Sequence, residues 1–246
     1  RSYLKFWGTR GSNEVSGSSY VHFGGNTCCL ELAHGKDLLI IDADNGIRPL
    51  GLYLVQTDSI KDIHLLISHT HWDHVSGFPF FAPLYDPIYR IYIWAPIGFD
   101  KTIRDLFVEM LVHSLFPVKL EEIKAQLIFK NIYEGIPFQI SSFKIDTHYV
   151  LHPGVTLYFK ITCAKNTFGY ATDNECLMNY HGKPQAITSS HSLLQEYLSL
   201  ISFFKGRNFL VHEAQHTPSE YQPKVGWGHS SVANASILVK HTDTSH

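Results

Sequence analysis

The sequence predicts an α/β protein of the α+β kind, with two β-sheets and helices outside them. Short segments rich in apolar, β-branched and aromatic residues recur along the whole chain, and helical periodicity is limited to a few stretches. The two kinds of segment do not alternate regularly. A strand-rich pattern of this kind favours two sheets covered by outer helices.

Nine segments have the composition of strands, with Gly and Pro residues between them. They are Cys28–Ala33, Asp37–Ile41, Ile63–Ser68, Ile88–Trp94, Gln126–Asn131, Phe138–Thr147, Thr156–Cys163, Thr167–Ala171 and Phe209–His212. Helices are expected over Thr102–Val112, Leu193–Phe204 and Ser231–Lys240. Ser230 or Ser231 is the expected N-cap of the third helix. No segment reads as a linker, so we expect a single domain over residues 1–246.

Composition excludes several classes of protein. With 20 basic and 22 acidic residues among 246, the net charge of −2 argues against a nucleic-acid binder that relies on a broad basic surface. No apolar run reaches the roughly 18 residues of a membrane span, and the N-terminus has no signal-peptide core. The four cysteines form no Cys-x-x-Cys pair. We therefore expect free thiols and a cytoplasmic protein that does not associate with membranes.

Histidine is the unusual residue of this sequence, with 16 in the chain. His69, His71, Asp73 and His74 directly follow the apolar segment Ile63–Ser68, so they leave the C-terminal end of a predicted buried strand. The first two face the same side if the chain stays extended, and the other two come after it turns. Imidazole nitrogen and carboxylate oxygen are ligands that zinc, manganese and iron accept. The pattern predicts a metal site.

The pattern His-x-His-x-Asp-His after an apolar strand resembles the signature of the metallo-β-lactamase-fold hydrolases. The resemblance implies an αββα sandwich of two mixed β-sheets with outer helices, and a site for two metal ions at its edge. It also implies three further ligands in chain order: a histidine on a loop, a bridging aspartate and a final histidine.

The downstream residues offer a candidate for each of these ligands. His152, in a Leu-His-Pro-Gly stretch, matches the loop histidine, and His148 is a rival. Asp173 ends a predicted strand and matches the bridging aspartate. His229, in Gly-His-Ser-Ser, and His241, after the last helix, are both candidates for the final histidine.

The His-Ser-Ser sequence resembles the His-Ser-Thr motif of ribonuclease Z and related small-molecule phosphodiesterases. In them this histidine contacts phosphate or protonates the leaving oxygen, and a later histidine completes the metal site. The resemblance thus implies that His229 is the general acid and His241 the ligand, with Ser230 in contact with substrate. Glu213 lies in a His-Glu-Ala stretch similar to that of ribonuclease Z. It would orient His229 or keep it protonated, unless it is an ordinary surface carboxylate.

Two N-terminal segments, Phe6–Ser12 and Phe23–Thr27, also resemble this phosphodiesterase-like branch. Asn26 and Thr27 are expected to point toward the substrate, although turn formation alone would explain them. The stretch Asp42–Gly46 stands where the family more often has Asp-x-Gly-Thr-Gly, which puts the local turn in question but not the metal site.

The resemblance implies a hydrolase with two divalent ions, zinc or manganese, with iron also open. One ion would be held by His69, His71 and His152 and the other by Asp73, His74 and His241, with Asp173 bridging. Metal-bound hydroxide would attack a phosphodiester while His229 protonates the leaving group. Together with His229, Asp73 and Glu213 are the expected catalytic residues.

The expected substrate is a small phosphodiester such as a cyclic nucleotide. Ribonuclease Z grips tRNA with a protruding arm, and His152 and Asp173, 21 positions apart, leave no room for one. Alternatives are a lactone, thioester or other acyl hydrolase on the same fold, or a non-hydrolytic metal or redox protein. The segment Phe78–Tyr85 would wall the pocket, form a homodimer surface, or pack in the core.

Overall fold

Residues 2–57, 60–98 and 100–244 are described by a computed structural model of the chain. They fall into two units, Arg1–Tyr133 and Glu134–His246, and each unit holds one β-sheet with its own helices. The expectation of a single domain over residues 1–246 stays a prediction. Across the described ranges, no helix combines the length and the apolar character needed to cross a membrane.

The sheet of the first unit has six strands. They are β1 (Ser2–Gly8), β2 (Cys29–His34), β3 (Asp37–Ile41), β4 (Asp62–Leu66), β5 (Arg90–Pro96) and β6 (Gln126–Ile132). The strands follow one another across the sheet in chain order. β1, β2 and β3 pair antiparallel, whereas β3 to β6 pair parallel, so the sheet is mixed. Because β3 and β4 are parallel neighbours, the residues that follow them emerge at the same edge of the sheet.

Three helices belong to the first unit: α1 (Ile47–Thr57), α2 (Trp72–Val75) and α3 (Ile103–Met110). α3 begins at a capping box, in which Thr102 and Asp105 each accept the backbone N–H of the other. The segment Phe78–Tyr85 packs in the core of this unit, because Phe78 and Phe81 are fully buried there. This geometry favours the core-packing alternative for the segment.

The sheet of the second unit has five strands. They are β7 (Phe138–Ile140), β8 (Phe143–Tyr149), β9 (Leu157–Cys163), β10 (Asn166–Ala171) and β11 (Phe209–His212). Their order across the sheet is β11-β10-β9-β8-β7. Only the β10–β11 pair is parallel, so this sheet is mixed as well. Two mixed sheets with helices are what the sequence predicts.

The helices of the second unit are α4 (Ser192–Gln195), α5 (Leu198–Phe204), α6 (Pro218–Tyr221) and α7 (Val232–Lys240). Ser231 is the N-cap of α7, and its hydroxyl accepts the N–H of Asn234. The sequence left Ser230 and Ser231 open for this role, and the structure selects the second. The four cysteines are free thiols, as expected from their spacing.

The structure differs from the predicted elements at six places. β1, α1, α2 and α6 were not predicted, the predicted strand Phe138–Thr147 is a hairpin, and the predicted helix Leu193–Phe204 is broken into α4 and α5. The hairpin turns at Ser141, which adopts a left-handed conformation with φ of 49°. α1 contains Pro49 in its first turn, where proline is tolerated, so proline does not exclude a helix there.

Candidate metal centre and the residues that support it

Three histidines of the first unit lie side by side just beyond the C-terminal end of β4. The ring centroid of His69 is 4.7 Å from that of His71 and 4.1 Å from that of His74. His71 is the N-cap residue of α2, so the turn that follows brings Asp73 next to His74, with Oδ2 of the former 4.0 Å from Nε2 of the latter. The structure therefore gathers the four side chains of the sequence cluster at one place in this unit.

Asp42 supports this cluster from the end of the neighbouring strand β3. Its Oδ2 accepts hydrogen bonds from Nδ1 of His74 and from the hydroxyl of Ser68, both at 2.9 Å. The Ser68 hydroxyl also lies 3.1 Å from Nδ1 of His69. Because the Ser68 hydroxyl donates its proton to Asp42, the Ser68 hydroxyl oxygen accepts the Nδ1–H of His69. Both imidazoles are therefore held through Nδ1, and Nε2 carries the lone pair that a metal ion takes.

Asp42 is a supporting residue that the sequence did not identify. The signal was a carboxylate directly after a buried strand, at the edge where the parallel strand β4 also ends. Asp42 is fully buried and adopts φ of 60°, a left-handed conformation that aspartate tolerates better than most residues. Asp42, which orients the candidate ligands, therefore matches the first position of the family's Asp-x-Gly-Thr-Gly, and the departure begins two residues later at Asp44.

We predict that Asp42→Asn weakens metal binding by about 10–100-fold, as is usual when a group that orients a ligand histidine is lost. The amide keeps the shape of the carboxylate but is a poorer acceptor for Nδ1–H of His74 and for Ser68. The measurement is a zinc titration against a competing chelator. Asp86→Asn, which changes a carboxylate that accepts the Ile88 N–H on a turn, is the matched control. Equal zinc affinity in the two variants would contradict the assignment.

The loop after β1 reaches the cluster through Asp73. The backbone N–H of Ser12 donates to Oδ2 of Asp73 at 2.8 Å. This contact fixes the orientation of the candidate ligand from outside the cluster.

Asn26 and Thr27 have structural contacts. The carbonyl of Asn26 accepts the N–H of Thr9 and of Arg10, each at 3.1 Å, and its side-chain amide donates to the carbonyl of Trp7. Thr27 is fully buried. Both residues therefore fasten the loop against its neighbours, and substrate contact by either of them stays a prediction.

His152 is held in the second unit in the same manner as the histidines of the first. Its Nδ1 donates to the carbonyl of Gly228 at 2.7 Å, so Nε2 again carries the lone pair. Nε2 lies 3.8 Å from Oδ2 of Asp173. Gly228 must lack a side chain, because a Cβ there would lie 2.4 Å from Nδ1 of His152, and its φ is +85°. The rival His148 bonds instead to the hydroxyl of Ser199 at 2.7 Å.

Asp173 and His229 meet at the end of β10. Nδ1 of His229 is 3.9 Å from Oδ2 of Asp173, and the ring of His229 lies 5.3 Å from the ring of His152. All three side chains are largely buried. The second unit thus gathers two imidazoles around one carboxylate, and the sequence predicted all three as site residues.

Glu175 fixes the loop that carries His229. This buried carboxylate accepts the N–H of Gly226 at 2.9 Å, the N–H of Gly228 at 3.0 Å and the hydroxyl of Tyr221 at 2.7 Å. Three hydrogen bonds to one buried carboxylate restrict the conformation of the loop that directly precedes His229. Sequence reasoning missed Glu175, since an isolated glutamate carries no local signal of such a role.

Glu213 fixes the same loop on the other side of His229. Its carboxylate accepts the N–H of Ser230 at 2.5 Å and the N–H of Gln215 at 2.9 Å. Burial raises the pKa of Glu213 to about 8. The residue thus acts on His229 through the adjacent backbone. Ser230 is fully buried and its hydroxyl donates to the carbonyl of Asn174, and the predicted contact with substrate stays a prediction.

His241 is the C-cap residue of α7, and Asp173 gathers with other candidate ligands that do not include it. α7 has nine residues and is about 13 Å long, so His241 is far from the N-terminus of the helix. The carbonyl of Thr242 accepts the N–H of Gly206, in the turn that precedes β11. β11 then runs parallel to β10 and ends beside Ala171, near Asp173. The structure does not bring His241 to Asp173, so the predicted ligand role is not carried forward.

His212 gives the second unit a stability that depends on pH. Its Nδ1 donates to the carbonyl of Glu213, Nε2 lies 3.5 Å from the hydroxyl of Tyr158, and burial lowers the pKa of the ring to about 4. The folded state prefers the neutral ring, so this contribution is complete above pH ~6.5 and is lost as the pH falls toward 4. We predict that the free energy of unfolding decreases by about 2–3 kcal/mol more in wild type than in His212→Gln over this range. Urea denaturation at several pH values measures both slopes, and equal slopes would refute the prediction.

Solved structures share this fold. The metallo-β-lactamase fold protein YhfI from Bacillus subtilis has a TM-score of 0.67 at 16% identity, covering 98% of this chain and 82% of that chain. The short form of human tRNase Z has a TM-score of 0.65 at 16% identity, with 98% and 89% covered. A diphosphatase of the PhnP family has a TM-score of 0.63 at 17% identity, with 99% and 83% covered.

These similarities establish the fold, and at such identities they establish nothing finer. No protein-family model matches the sequence, and neither does any curated protein. The chain therefore has the metallo-β-lactamase fold, with its two mixed sheets and helices. This confirms the fold class predicted from the histidine signature.

Proposed function

We propose that this chain is a metal-dependent hydrolase that cleaves small phosphodiesters, such as cyclic nucleotides, with two divalent metal ions. The observation that carries the proposal is the position of His229. Its imidazole lies 3.9 Å from Asp173 on a loop that the buried Glu175 and the half-buried Glu213 hold in place. A fixed imidazole beside a candidate bridging carboxylate can supply a proton to a departing alkoxide.

The donor set of each unit fits divalent ions that accept nitrogen and oxygen. His74 and His152 are both held through Nδ1, which leaves Nε2 as the ligand atom. The proposed ions are zinc or manganese, or iron. The first ion would be held by His69, His71 and His152, the second by Asp73 and His74, and Asp173 would bridge them.

Such ions would lower the pKa of a bound water to about 7 and offset the negative charge of a phosphate group. The side chains of the protein orient the ligands, hold the loop and deliver the proton. Asp42 keeps the ligand imidazoles in the required tautomer, Glu175 and Glu213 hold the loop, and His229 delivers a proton to the leaving oxygen.

The short chain segment that connects His152 and Asp173 favours a small substrate. These residues are 21 positions apart, and most of the intervening chain forms the hairpin of β9 and β10. This leaves no protruding arm of the kind that would grip tRNA. A net charge of −2 also disfavours a polyanionic substrate held over a long surface.

A substrate panel tests the proposal against acyl hydrolysis. Protein loaded with zinc or manganese is assayed on bis(p-nitrophenyl) phosphate, on 2′,3′- and 3′,5′-cyclic nucleotides, and on a lactone and a thioester. We expect metal-dependent turnover of the diesters and none above background on the acyl substrates. Turnover confined to the lactone or the thioester would transfer the assignment to acyl hydrolysis on the same fold.

A further inference from the structure

His216 is a buried histidine that the proposed chemistry has not used. It lies in the loop between β11 and α6, and only 5% of its surface is exposed. Within the part of the chain that the structure describes, its Nε2 has no hydrogen-bond partner. Buried polar atoms are paired in the great majority of cases, so an unpaired imidazole nitrogen points to a missing polar group.

The backbone of His216 is fastened to the segment that carries His229. Its N–H donates to the carbonyl of Ser230 at 3.3 Å, and its carbonyl accepts the N–H of Val232 at 2.8 Å. A parallel bridge with Ser231 completes this pairing. His216 therefore cannot move independently of the proposed proton donor.

The two imidazoles are placed so that one ligand can meet both. The ring centroids of His216 and His229 are 6.0 Å apart and the planes are nearly perpendicular, at 83°. A hydrogen bond from an imidazole N–H spans about 2.7–3.2 Å, so two rings at this separation can bind neighbouring oxygens of one phosphoryl group. Burial lowers the pKa of His216, which leaves a neutral ring with one N–H to donate.

We propose that His216 is a second substrate-contacting residue, whose Nε2–H donates a hydrogen bond to a phosphoryl oxygen of the group engaged by His229. The inference rests on the proposed function for the substrate class. It deepens that function by assigning phosphate recognition to a histidine outside the candidate metal ligands. A buried water that satisfies Nε2 instead is the competing explanation.

Phosphate binding and diester turnover are measured in parallel on zinc-loaded protein. Inorganic phosphate is titrated calorimetrically, and bis(p-nitrophenyl) phosphate is the substrate. His216→Phe fills the site without a donor, and His216→Gln retains an N–H. His181→Phe, at an exposed histidine of the same unit, is the matched control.

His216→Phe is expected to raise the phosphate Kd and the KM by about 10-fold, the size of one hydrogen bond. Metal content should be unchanged, and Tm should rise by about 2–4 °C because a buried unpaired nitrogen is removed. His216→Gln should stay closer to wild type, and His181→Phe should match it. If the phenylalanine variant does not fold, His216→Ala replaces it with the same expectation for phosphate binding.

If folded His216→Phe has the same phosphate Kd and the same KM as wild type, the inference is wrong. His216 would then have a packing role, or its Nε2 would bond to a buried water. The two proposals also fail separately. If wild-type protein hydrolyses no diester yet binds phosphate through His216, the proposed function is wrong while phosphate recognition by His216 stands. If wild-type protein hydrolyses the diester and His216→Phe does so with the same KM, the proposed function stands and phosphate recognition by His216 is wrong.

Discussion

Asp73→Ala is expected to abolish diester turnover and to remove at least one metal ion per chain. Asp73 is the single carboxylate of the histidine cluster, and it lies 4.0 Å from Nε2 of His74. The backbone N–H of Ser12 orients it at 2.8 Å. Alanine removes the charge and the ligand atoms together, so the second ion loses an anionic ligand. Metal content after gel filtration and turnover of bis(p-nitrophenyl) phosphate are the two measurements.

Two controls make the Asp73 result specific. Asp86→Ala removes a carboxylate on a turn of the same unit and should leave both metal content and turnover unchanged. The thermal transition of metal-free Asp73→Ala should remain close to that of metal-free wild type, because this substitution leaves the buried contacts of Asp42 intact. Full metal content and normal turnover in Asp73→Ala would remove Asp73 from the site.

His229→Ala is expected to reduce turnover by about 10²–10⁴-fold, the usual contribution of a general acid. Metal content should stay at the wild-type value, since His229 is proposed to protonate the leaving group rather than to bind an ion. A diester with a p-nitrophenolate leaving group needs little protonation, so the loss should be larger with a cyclic nucleotide. Comparison of the two substrates therefore separates proton donation from a general loss of structure.

His241→Ala is the matched variant for His229. His241 is the C-cap residue of α7, and the carbonyl of the next residue, Thr242, accepts the N–H of Gly206. We expect it to retain metal and turnover. If His229→Ala lost a metal ion while His241→Ala lost none, His229 would be a ligand and another residue would protonate the leaving group.

Much of the fold could be predicted because its strands carry a local signal. The segments Asp37–Ile41 and Phe209–His212 were predicted with the bounds that the structure gives them. β1 was missed because it is an edge strand with exposed side chains on both faces. One of these exposed side chains, Lys5, lies 3.5 Å above the ring of Trp7. The break between α4 and α5 was missed because the apolar residues on both sides continue one helical pattern.

The residues of the candidate site likewise differ in whether the local sequence reveals their role. His69, His71, Asp73 and His74 are adjacent in sequence, so their grouping was visible without a structure. The contacts of Asp42, Glu175 and His216 depend on pairing between distant segments, and among them Asp42 alone has a local signal, its position directly after a buried strand. Their roles appear only when hydrogen bonds to His74, to Gly228 and along Ser230–Val232 are known. Ser230 shows the converse, because a motif position that suggests substrate contact is buried against Asn174.

The most direct test of the account is a metal titration of chelator-treated protein with turnover of bis(p-nitrophenyl) phosphate as the readout. We expect no turnover without metal, and recovery with zinc or manganese that saturates at two ions per chain. Full turnover in the metal-free protein would contradict it. So would protein that binds two ions tightly and hydrolyses neither this diester nor any cyclic nucleotide.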